Sequence, residues 1–133
     1  MGDLKYSDLT GKIIEIFYKV YDELGYGFLE KIYENALAHE FGKLGLGFRK
    51  QAPISVLYDG VVMGKYFADF IVEDRVIVEV KAGKYLGEDG EKQLINYLRA
   101  TGLEVGLLLG FGKKAEFKRK VFEIVKKKYW HAD

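Results

Sequence analysis

The 133-residue sequence predicts an α/β fold, a mixed sheet flanked by helices in the order α-α-β-β-β-α-β-β. Three observations lead there. Apolar residues recur at helical spacing through the first third of the chain, and the period changes to two from Phe48 onward. Later, after another helical pattern, comes the nearly all-apolar run "LEVGLLLGFG". Such a strand belongs inside a sheet covered on both faces.

In "SDLTGKIIEIFYKVYDELG", Leu9, Ile13, Ile16, Phe17, Val20 and Leu24 share a helix face, with Ser7 or Asp8 as the cap. "GYGFLEKIYENALAHEFGKLG" begins a second helix near Phe28, and Gly42 or Gly45 ends it. "FRKQAPISVLYDGVVMGKYFADFIVEDRVIVEVKA" reads as three strands. Asp59-Gly60 forms the first hairpin turn and Glu73-Asp74 the second. Pro53, which has no amide hydrogen, makes the first strand an edge or delays its start. "GEDGEKQLINYLRATG" is a helix with Leu94, Tyr97, Leu98 and Thr101 along one side. "AEFKRKVFEIV" alternates as a final edge strand, with a helix as the alternative, and residues 126–133 read as a basic, frayed tail. Without an internal repeat or a linker, residues 1–133 are expected to form one domain.

Composition narrows the function classes. The chain has no cysteine, which excludes a disulfide scaffold and thiolate metal sites and suits a reducing, cytoplasmic compartment. No stretch has the length of a membrane span, and the start lacks the pattern of a signal peptide. Net charge is only +1, but residues 113–133 carry eight Lys or Arg against three acids, a basic end on a slightly acidic body. That end fits either phosphate binding or a solubilising terminus. His39 and His131 lack zinc-ligand spacing, and the glycines of "LLLGFGKK" lack the rest of a phosphate-loop motif.

The stretch "DRVIVEVKAGKY" carries the chemistry. On a strand, Glu79 and Lys81 point to one face while Val76, Val78 and Val80 point to the other. Burying that charged pair without compensation is costly. The pair must face water, satisfy each other or act on a substrate. Asp69 lies ten residues before Glu79 across a tight connection, so a hairpin brings the two carboxylates together. Paired carboxylate oxygens suit a hard cation such as Mg²⁺, with Mn²⁺ as a substitute. A cation there polarises a phosphoryl oxygen and acidifies water, and a nearby lysine orients that water or neutralises charge at phosphorus. The Val80 carbonyl is a further oxygen donor. Acids and lysines on a solvated sheet face produce the same spacing without chemistry.

"FADFIVEDRVIVEVKA" resembles the active-site hairpin of the PD-(D/E)XK nuclease superfamily, with Asp69, Glu79 and Lys81 on its two acids and its lysine. "GFLEKIYENAL" resembles the signature of the small GxxExxY family of that superfamily, matching at Gly27, Glu30 and Tyr33. "EKQLINYLRATGLEVGLLLGFG" is similar to the same family's helix and strand, with Gln93 and Tyr97 one turn apart. The resemblance implies a restriction-endonuclease-like core and metal-dependent hydrolysis of DNA or RNA, endonucleolytic in character. It also implies that Glu30 reaches the cleft, to bind metal directly, bind a second ion through water, or hydrogen-bond Lys81. A first-turn acid stabilising the helix dipole is the structural alternative. Gln93 then contacts the catalytic hairpin or substrate, while Tyr33 and Tyr97 support the site or pack.

Two positions depart from the pattern. Ala68 replaces the superfamily's proline, which supplies no ligand. Family members often carry His-x-x-Leu-Gly-Pro-Gly before the signature, where this chain reads Tyr21-Asp22-Glu23-Leu24-Gly25-Tyr26-Gly27. Other readings are a catalytically inactive nuclease-fold protein that binds nucleic acid or acts as a scaffold, and a nucleotide-processing enzyme. A homodimer is expected because one small domain offers little surface to a duplex.

Overall fold

The computed structural model describes residues 6–83 and 86–123; the tail assigned to residues 126–133 lies outside the described residues. Helices α1 (Ser7–Leu24) and α2 (Glu30–Lys43) precede strands β1 (Phe48–Tyr58), β2 (Val61–Val72) and β3 (Val76–Ala82). Helix α3 (Glu88–Thr101) and strands β4 (Val105–Phe111) and β5 (Ala115–Val121) follow. The sheet order is β1-β2-β3-β4-β5. Strands β3 and β4 are parallel, and α3 makes the crossover between them; the other neighbours are antiparallel. This is the mixed α/β sheet expected, in the expected element order.

The helices divide between the two faces of the sheet. Ile13, Phe17, Tyr33, Leu37 and Phe41 from α1 and α2 pack with Val76, Val78, Val80, Leu107 and Leu109. On the other face Leu94, Tyr97 and Leu98 of α3 pack with Ile71, Ile77 and Leu108. Strand β4 is buried along its whole length, as a strand with cover on both sides must be. Gly106 lets α3 come close, since a Cβ there would lie 2.6 Å from Leu94 Cδ1.

Both hairpin turns form where expected. Asp59 and Gly60 have φ of 56° and 73°, and Glu73 and Asp74 have φ of 53° and 54°. Strand β1 is an edge, which accommodates Pro53 within it. The α2 terminus turns at Gly45, with φ of 71°, where Leu46 N–H reaches Phe41 O at 3.0 Å.

Two helix starts differ from the expectation. Neither Ser7 nor Asp8 caps α1; Tyr6 occupies that position in a left-handed conformation, and its carbonyl accepts Thr10 N–H at 2.9 Å. Helix α2 starts at Glu30 rather than near Phe28 because the preceding loop is held by Tyr33. The Tyr33 hydroxyl donates to Gly25 O at 2.8 Å and accepts Phe28 N–H at 3.2 Å. Among the described residues, no helix is long and apolar enough to cross a membrane.

Candidate active site

Strand β2 pairs with β3 only from Phe70–Val78 to Val72–Val76. Beyond Phe70 it stays with β1 as a two-stranded ribbon, and β3 continues alone beside β4. Asp69 and Glu79 stand at this fork. Asp69 N–H donates to Glu79 Oε2 at 2.8 Å, and Val80 N–H donates to Asp69 Oδ2 at 2.7 Å. Each carboxylate thus satisfies an amide that the interrupted ladder leaves without a backbone acceptor. Since N–H and C=O of one strand residue point to the same edge, the Val80 carbonyl also opens toward the fork.

The alternation of β2 changes at the same place. Ala68 belongs to the α3 core, whereas Phe70, two residues on, belongs to the α1/α2 core. The opposing residue of β1, Gln51, has φ of 51°, a left-handed conformation costly for a side-chain-bearing residue. Its amide Nε2 reaches Glu34 Oε1 at 3.2 Å and Asp69 Oδ1 at 3.4 Å. Gln51 and Glu34 were not singled out from the sequence. Glu34 had a signal, since it lies four residues after Glu30 and hence on the same helix face. Gln51 had none: its conformation is a tertiary constraint.

Burial and mutual repulsion dominate the electrostatics. Glu79 is only 5% exposed, and burial followed by the Asp69 charge pushes its carboxyl up to about 8. Burial raises Asp69 against the opposing effects of the Val80 amide, Gln51 and the Lys81 charge. Glu34 is raised by burial and then by Asp69. Tyr97 is pushed up to about 12 by burial and then by the charges of Glu79 and Asp69, so its hydroxyl lies in the field of the pair. Lys81 is half-buried and makes no hydrogen bond or ion pair among the described residues.

The remaining residues divide around this fork. Glu30 is exposed, and its Oε2 accepts Ala82 N–H at 3.3 Å, which brings the first turn of α2 to the end of β3. It lines, with Lys81, Gly87 and Leu108, a cleft of about 460 Å³. Gln93 and Tyr97 line a second cleft of about 670 Å³ between α3 and the β1–β2 ribbon. Tyr33 is fully buried and stacked on Phe111 at 4.1 Å, on the opposite side of the sheet. Among the described residues, no group of three or more His, Cys, Asp or Glu side chains converges to hold a metal ion. The close carboxylates are the pair Asp69 and Glu79; Glu30 is turned to the Ala82 amide instead. An all-oxygen donor set, with Glu79 buried, Asp69 half-buried and their charges mutually repelling, fits a hard divalent cation, which would take its other ligands from water.

Comparison with curated proteins finds no significant match. Among solved structures, an alkaline exonuclease from Laribacter hongkongensis is 10% identical, with a TM-score of 0.52 over 94% of this chain and 76% of that one. The crystal structure of SSO0001 is 14% identical, with a TM-score of 0.49; the match covers 77% of this chain but only 55% of that one. At these identities the first likeness speaks to fold alone. The sequence model of the PD-(D/E)XK nuclease superfamily matches residues 7–120. With that match spanning both helices, the forked hairpin, α3 and most of β5, this chain belongs to the PD-(D/E)XK nuclease superfamily.

Proposed function

We propose that this protein is a Mg²⁺-dependent nuclease that hydrolyses phosphodiester bonds of DNA or RNA endonucleolytically, with Mn²⁺ as a substitute. The observation that carries the reading is the fork itself, where Asp69 and Glu79 share one gap and Lys81 follows on the same strand face. Asp69, Glu79 and the Val80 carbonyl would hold the cation, and Glu30 would join through water. When bound, the cation polarises the phosphoryl oxygen and lowers the pKa of water. Lys81 orients the attacking water and offsets charge developing at phosphorus. Gln93 contacts substrate, and Tyr97 closes the wall behind Glu79. Tyr33 acts at a distance, by fixing the loop from which Glu30 enters α2. Gly27, Glu30 and Tyr33 support placement in the GxxExxY group. The exposed apolar tip of the ribbon, at Tyr58, Val61 and Met63, supports a homodimer.

The test is a cleavage panel of single-stranded, duplex and branched DNA and RNA with Mg²⁺ or Mn²⁺. Asp69→Asn and Glu79→Gln serve as controls. Cleavage by the wild type that both substitutions abolish supports the reading. A folded wild type that binds these substrates and cleaves none would point to an inactive nuclease-fold binding protein.

A further inference from the structure

The larger cleft is not explained by metal binding. Its walls are Val56, Leu57 and Tyr66 from the ribbon and Gln93, Asn96 and Tyr97 from α3. Tyr66 is half exposed, and its ring lies 5.7 Å from that of Tyr97, tilted by 47°. Tyr66 therefore leans on the α3 core through Tyr97 while about half of it stays open at the cleft wall. Gln93 makes no hydrogen bond among the described residues, so its amide keeps both donor and acceptor capacity. Tyr97 joins this cleft to the fork, because it lines the cleft and packs in one core with Ala68, which precedes Asp69, and Ile77, which shares a strand face with Glu79.

We infer that this cleft is a base-stacking subsite for single-stranded nucleic acid, holding a base on Tyr66 while the adjoining phosphodiester lies at Asp69 and Glu79. The inference rests on the nuclease reading and adds its substrate class. At about 670 Å³ the cleft has room for one or two nucleotides. Aromatic rings accept any base by its flat face, and an amide side chain reads a base edge that pairing would otherwise occupy. Charge agrees with this choice. Lys92 and Arg99 share the walls with one acid, Asp89, enough for a short backbone, while residues 1–112 hold thirteen Lys or Arg against seventeen acids. That excess of acids disfavours tracking a long duplex backbone, which takes many phosphate-neutralising cations.

Fluorescence anisotropy of the full chain, without divalent metal and at fixed ionic strength, tests this with labelled single-stranded DNA, single-stranded RNA and a blunt duplex of equal length. Single strands of one or both chemistries should bind about tenfold tighter than the duplex. Tyr66→Ala should weaken that binding by about tenfold, the scale of losing one stacked base, while Tyr66→Phe retains it. Circular dichroism melts check that Tyr66→Ala is folded; if it is not, Tyr66→Ser and Gln93→Ala take its place. Duplex binding as tight as single-strand binding, no single-strand binding, or full binding by the folded variants overturns the inference. Cleavage that proceeds with any of these results leaves the nuclease reading intact and removes only the subsite. Tyr66-dependent binding without cleavage on any substrate does the reverse.

Discussion

Asp69 and Glu79 are bonded crosswise between strands: Glu79 takes the Asp69 amide at 2.8 Å, and Asp69 takes the Val80 amide at 2.7 Å. The two side chains thus do the work of a backbone ladder at the point where the ladder stops. Either carboxylate can be replaced by its amide without removing the acceptor oxygen, which separates charge from local structure. Asp69→Asn and Glu79→Gln should both fold, while each weakens Mn²⁺ binding at least tenfold in an isothermal titration. Unchanged Mn²⁺ affinity in both variants would remove the pair from the metal site.

The raised Glu79 carboxyl has a consequence for stability. Its value is about 8 in the fold against an ordinary 4.5, so between these pH values the folded state binds more protons than the unfolded one. Stability is therefore largest below about pH 4.5 for this group and is lost as pH rises through 8, by at most about 1.4 kcal/mol per pH unit. Asp69 and Glu34 are shifted in the same direction. Calorimetric melts of metal-free protein should show Tm falling from pH 5 to pH 8, with a shallower fall in Glu79→Gln. Added Mg²⁺ should raise Tm more at pH 8 than at pH 5, because only the ionised pair attracts it strongly.

Lys81 separates metal binding from turnover. Lys81→Met keeps most of the aliphatic length and removes the ammonium. Folding and Mn²⁺ binding should persist, while single-turnover cleavage at saturating metal and substrate falls by roughly 10²-fold. Cleavage close to wild type would reject the role given to this lysine.

Gln51 combines a strained backbone with an amide that reaches two acids. Gln51→Gly relieves the left-handed conformation, a gain of about 1 kcal/mol. Gln51→Ala keeps that strain, and both lose the amide. Urea titrations should find the glycine variant more stable than the alanine variant, with Mn²⁺ affinity reduced in both. Equal stability of the two would show that the position carries no strain.

Close packing of α3 on β4 predicts a cost at Gly106. An added methyl would meet three atoms of Leu94 at 2.6, 2.9 and 3.1 Å. Gly106→Ala should lower unfolding free energy by about 1–3 kcal/mol in urea, the range for overpacking a core. A midpoint unchanged from wild type would mean that α3 shifts freely over the sheet.

Sequence alone determined the element order, because each element states its period: helical spacing through Ile13 and Phe17, alternation through Val76, Val78 and Val80, and the two turn pairs between strands. It also determined that Glu79 and Lys81 share a strand face, since side chains alternate along any strand. Pattern could not say that β2 leaves β3 at Asp69, because strand separation depends on what α3 and α2 pack beneath each branch. For the same reason Gln51, read as one more strand residue, became a bridge to Asp69 and Glu34. Its left-handed backbone opposes local preference and is held by the surrounding contacts. Tyr33 shows the converse: its spacing from Glu30 is local, but only the packed core turned its ring away from the cleft and onto Phe111. Local periodicity sets which face a residue takes, and tertiary packing decides what stands opposite it.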